Sequence, residues 1–104
     1  MTTSLPTQTQ IKDKTVRLSA TLRAAAGGKA ITVPLASGAT VRDLLQAIED
    51  AHPKLAAKLL DASRGLTPGT QILVDGKHID WLEGLDTPVD DADDLMLVPP
   101  LSGG

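Results

Sequence analysis

Hydrophobic residues alternate with polar ones from Thr15 onward. Val16, Leu18, Ala20 and Leu22 take one parity, and Arg17, Ser19, Thr21 and Arg23 the other, the period-two signature of a strand with one buried face. Gly27 and Gly28 signal a turn, and the alternation resumes with Ile31, Val33 and Leu35, so the two runs predict a hairpin. Pro34 falls on the opposite parity of the second run, which suits an edge strand. The period then lengthens. Thr40 offers a hydroxyl to the free amides of a first helical turn, and Asp43 sits at its positive end. Val41, Leu44, Leu45 and Ile48 follow as one apolar stripe. His52 precedes Pro53, which ends this helix and opens a second short one faced by Leu55, Leu59 and Leu60. Residues 61–65 read as a loop.

Residues 71–74 form a third apolar run, closed by the tight-turn pair Asp75 and Gly76, with a brief fourth strand expected at 77–79. A single helical or 3₁₀ turn is expected at 81–85, with Trp81 as a satellite core residue. An acidic stretch with Asp90, Asp91, Asp93 and Asp94 leads into the last apolar run, 95–98.

This order predicts an α+β fold: a mixed sheet of four to five strands, with one main helix and a second short helix packed on one face. The last strand lies parallel to the first, near the centre. The expected core is Val16, Leu18, Leu22, Ile31, Val33, Val41, Leu44, Leu45, Ile48, Ile72, Val74, Leu95 and Leu97. With Leu95 and Leu97 beneath the helix, Met96 and Val98 point outward, where Leu73 joins them as a partner-contact patch. Residues 1–14, polar with scattered hydrophobes, are expected to be a flexible extension, residues 15–98 the domain, and 99–104 a tail. Pro99 and Pro100 stiffen the root of that tail, which can reach roughly 20 Å beyond the body. Gly103 and Gly104 carry no Cβ to obstruct a narrow site.

Composition removes other chemistries. The 104 residues contain no cysteine, so no thiol nucleophile or thiolate metal site exists. A net charge of −3 and one aromatic residue leave neither a basic footprint nor a stacking platform for nucleic acid. No apolar run approaches membrane-spanning length, and a cytoplasmic protein is expected. His52 sits at a helix end. His78 with Asp80 makes too small a ligand set, and the acidic stretch lacks the glycine and distal glutamate of an EF-hand, so no metal site is expected. Asp90 and Asp91 belong to an acidic region suited to steering a basic partner.

The stretches 20–27, 38–45, 74–77, 84–88 and 99–104, taken in order, resemble the ubiquitin-like β-grasp fold. More narrowly they resemble the MoaD/ThiS-type sulfur carriers: the molybdopterin synthase small subunit, the thiamine-pathway carrier and a carrier serving cysteine synthesis. The resemblance covers residues 15–104. It departs from the family pattern in the N-terminal extension, and in Leu101 and Ser102, which stand where small or apolar pairs are common.

The resemblance implies a carrier or substrate rather than an enzyme. A ubiquitin-activating-type adenylyltransferase, using ATP and Mg²⁺ of its own, would adenylate the Gly104 carboxylate, with Gly103 keeping the channel clear. A sulfur donor would then leave a thiocarboxylate. The recipient would be an acceptor synthase subunit or another sulfur acceptor, in molybdopterin synthesis or a related cofactor, cysteine or tRNA thiolation pathway. No cofactor is expected on the chain itself. Pro99, Pro100, Leu101, Ser102, Met96, Val98, Leu73, Asp90 and Asp91 are the candidate partner-binding residues. The alternative is a ubiquitin-like modifier joined through Gly104 to lysines of target proteins. A third reading is an interaction domain with an inert tail.

Overall fold

The computed structural model describes residues 10–19, 21–62 and 65–99. Strand β1 (Ile11–Leu18) pairs antiparallel with β2 (Ala30–Ala36), from Ile11 opposite Ala36 to Arg17 opposite Ala30. Their connection is not the expected tight turn. It holds a five-residue helix, α1 (Leu22–Ala26), so β1 ends at Leu18, short of the predicted Leu22. Three consecutive alanines favour helix strongly, and Gly27, at φ +79°, takes the left-handed position that ends it. Leu22 is buried as expected, but from a helix rather than a strand.

Strand β1 also starts earlier than its hydrophobic pattern, inside the stretch 1–14 assigned to a flexible extension. Its first inward positions are Lys12 and Lys14, and the Lys14 ammonium donates to the Asp90 carbonyl at 2.7 Å. Polar partners there replace the apolar alternation that marks a strand in sequence. Residues 1–9 lie outside the described residues.

Pro34 is tolerated because of where its missing N–H points. Leu18 donates to the Lys29 carbonyl at 2.8 Å and Ser37 to the Gln10 carbonyl at 2.9 Å. Bonded pairs alternate along an antiparallel ladder, so the nitrogen of Pro34 faces the open edge.

Helix α2 (Val41–Ala51) begins where the Asp43 carboxylate accepts the Thr40 N–H at 2.9 Å, with the Thr40 hydroxyl 3.2 Å away. Pro53 opens α3 (Pro53–Leu59). Strand β3 (Gln71–Val74) turns through Asp75 (φ +52°) and Gly76 (φ +84°) into the two-residue β4 (Lys77–His78). Two 3₁₀ turns, Ile79–Trp81 and Gly84–Asp86, precede β5 (Leu95–Val98).

The sheet order is β2-β1-β5-β3-β4, with β5 parallel to β1 and antiparallel to β3. Every residue expected in the core is buried, joined by Leu35, Leu55, Leu59 and Val89 among others. Within the described residues, no helix is long and apolar enough to cross a membrane.

Candidate functional site

The tail grows from the middle of the sheet. In β5, Leu95 and Leu97 are buried while Met96 and Val98 are half-buried on the opposite face. Leu97 stands beside Leu18 on one side and Ile72 on the other, and its carbonyl accepts the Ser19 N–H at 3.1 Å. A strand held on both flanks cannot peel away without breaking two ladders, so the tail leaves from a fixed point.

The other end of β5 is clasped by side chains. Arg17 makes two parallel bonds to Asp94, Nε to Oδ1 at 2.7 Å and Nη2 to Oδ2 at 2.8 Å. These hydrogen bonds hold the Asp94 carboxyl below the usual carboxylate range. Asp75 Oδ1 accepts the N–H groups of Asp93 and Asp94, both at 2.8 Å, and the Asp75 N–H donates to the Asp94 carbonyl at 2.8 Å. The left-handed backbone of Asp75 turns its side chain and amide toward the same two residues.

Leu73 lies directly opposite Met96, and Gln71 opposite Val98, so the three expected contact residues share the face of the sheet away from the helices. Asp90 and Asp91 precede β5 at the end opposite Pro99, with the strand's four residues, a rise of about 13 Å, in between. The Asp90 carboxylate accepts the Gly38 N–H at 2.6 Å and its carbonyl takes Lys14, which ties this loop to the start of α2. Asp91 is exposed. Pro99 is half-buried at the end of β5, while Pro100, Leu101, Ser102, Gly103 and Gly104 lie outside the described residues.

His78 Nδ1 accepts the Asp80 N–H at 3.0 Å and lies 3.7 Å from its carboxylate. Among the described residues no three His, Asp or Glu side chains gather as a metal ligand set. Trp81 overturns its expected place in the core: it is 83% exposed. The 3₁₀ turn Ile79–Trp81 buries Ile79 and directs the indole to solvent. Nothing in the local pattern distinguishes the two placements, because a three-residue turn is too short to display a periodicity.

Comparison with known proteins agrees with this architecture. The chain is 33% identical over 89 residues to small archaeal modifier protein 3 of Haloferax volcanii, covering 86% of this chain and 96% of that one. It is 32% identical over 65 residues to an Archaeoglobus fulgidus protein assigned as a sulfur carrier, covering 62% of this chain and 74% of the other. The crystal structure of small archaeal modifier protein 1 of Haloferax volcanii superposes with a TM-score of 0.76 at 30% identity, covering 89% of this chain and all of that one. The fold is the ubiquitin-like β-grasp. The model of the ThiS family matches residues 16–104, from the middle of β1 through Gly103 and Gly104, and the chain belongs to that family.

Proposed function

We propose that the chain is a sulfur carrier whose Gly104 carboxylate is the reacting group. The observation that carries this reading is the family match running through the final diglycine, on a tail rooted in the central strand. A carboxylate is a poor electrophile, since its charge is delocalised and oxide is a bad leaving group. A partner enzyme joins it to AMP at the expense of ATP, releasing pyrophosphate. Sulfide from a donor then attacks the carbonyl carbon and AMP departs with one of the original carboxylate oxygens. The terminal thiocarboxylate that remains passes its sulfur to an acceptor protein. ATP and Mg²⁺ belong to the activating partner, whose positive groups meet the developing phosphate charge. The carrier contributes a substrate terminus, the slender tail, and the Leu73, Met96 and Val98 face for docking.

The test combines the full chain with its activating partner, ATP and a sulfide donor. Intact mass should show one oxygen replaced by sulfur at the C-terminus. Deleting Gly103 and Gly104 should abolish activation and leave the melting temperature unchanged, since two glycines carry no side chain to contribute to a core. Gly104→Ala should fold normally and react poorly, its Cβ obstructing a site shaped for glycine. The second reading, a protein modifier, is favoured by the likeness to a named modifier protein. Adducts on lysines of other proteins, without thiocarboxylate, would select it. Neither product from a verified cognate partner would leave the inert-tail reading.

A further inference from the structure

The chain has one aromatic residue, and the fold places it in solvent. Leaving so large an apolar surface in water forgoes the stabilisation that its burial would bring to the core. Trp81 is also not isolated. With the 38%-exposed Leu82 and the half-buried Leu73 it borders a depression on the β3–β4 side of the sheet, completed by Gln71, Lys77 and His78. The depression is broad and open, which suits the side chains of a peptide better than a metabolite needing most of its surface covered.

Its charge is one-sided. Lys77 and His78 are the titratable groups that line it, and no carboxylate does. The backbone of Lys77 pairs with Val74 in the sheet, while its ammonium has no hydrogen-bond or ion-pair partner among the described residues. The surrounding surface is acidic, with Asp80 and Glu83 exposed nearby, in a chain of net charge −3. Lys77 is therefore a local positive point next to apolar walls. An anionic membrane would meet the acidic surroundings as well, whereas a peptide meets only the depression. Exposed tryptophan beside aliphatic side chains is the composition of an interface anchor.

We propose that Trp81, Leu82, Leu73 and Lys77 form a docking groove for a short segment of a partner protein that carries an apolar anchor flanked by acidic residues. The apolar side chain packs on the indole and Leu73, and a neighbouring carboxylate pairs with Lys77. This recognition is non-covalent and does not use the tail.

Two blocked synthetic peptides test it on the full-length chain: a Leu-Leu pair flanked by aspartates, and the same pair flanked by lysines. The aspartate peptide should saturate, shift the emission of Trp81 to the blue, and perturb backbone amide resonances around residues 71–82. The lysine peptide should bind at least roughly tenfold more weakly, and Lys77→Glu should reverse the preference. Trp81→Ala, read by the amide resonances, should weaken binding roughly tenfold or more with the thermal melt unchanged. A chain lacking Gly103 and Gly104 should bind the aspartate peptide as the full chain does, which separates this site from the carrier chemistry. Equal binding of both peptides, undiminished binding by Trp81→Ala, or no saturation would overturn the proposal. A blue shift with phosphatidylglycerol vesicles but not with peptide would assign the patch to a membrane surface instead.

Discussion

Alanine at Leu97 and at Met96, neighbours in β5, should have opposite consequences. Each substitution removes three heavy atoms beyond Cβ, so the lost atoms are equal in number and only their surroundings differ. Leu97 is completely buried, between Leu18 and Ile72. At about 0.8 kcal/mol per buried methylene the transfer loss is about 2.4 kcal/mol. The central strand cannot move into the space, so a cavity cost adds to this and the total should reach about 3–5 kcal/mol. At roughly 4–8 °C per kcal/mol for a domain of this size, the melting temperature should fall by at least roughly 12 °C. Met96 is half-buried with one side open to solvent, so Met96→Ala should cost only about 1 kcal/mol and leave no closed cavity. Urea titration followed by far-UV circular dichroism, with m unchanged, gives both values. Binding to the activating partner should show the reverse order, with Met96→Asp weakening it and the fold kept. Similar stability losses at the two positions would refute the alternation of β5, because a one-residue slip exchanges the faces.

Tryptophan emission should be that of a solvated indole in the folded protein and shift little on unfolding, while circular dichroism records a full transition; a large red shift would refute the exposed placement of Trp81. Asp94→Asn should lower stability slightly at neutral pH. Because Arg17 lowers the folded-state pKa of Asp94, the stabilisation is present above the unfolded carboxylate value and is lost as pH falls through the folded one. The difference between Asp94→Asn and wild type should therefore vanish in acid, and shrink with added salt because the pair is exposed; a difference that persists at low pH would count against it. Asp43→Ala should cost about 0.3–1.5 kcal/mol in a urea titration, through loss of its bonds at the start of α2; an unchanged midpoint would remove that capping role.

Much of this architecture was legible in the sequence where one face of an element is apolar. The β2 alternation, the α2 stripe, the break at Pro53 and the turn at Asp75 and Gly76 are local properties, and each occurs where the pattern places it. The parity of β5 likewise separates Leu95 and Leu97 from Met96 and Val98. The sequence misled where a neighbour supplied what the pattern lacked. Strand β1 runs through Lys12 and Lys14 because β2 offers ladder partners and the Asp90 carbonyl receives the Lys14 ammonium. Residues 22–26 preserve the strand parity at Leu22 but form a helix, since alanine propensity and a left-handed Gly27 prevail over one apolar position. The clasp of Arg17 and Asp75 on the 93–94 segment, the tie of Asp90 to Lys14 and Gly38, and the exposure of Trp81 were decided by tertiary structure alone. Each depends on which segments lie side by side in the sheet, and periodicity along a single segment carries no information about its neighbours.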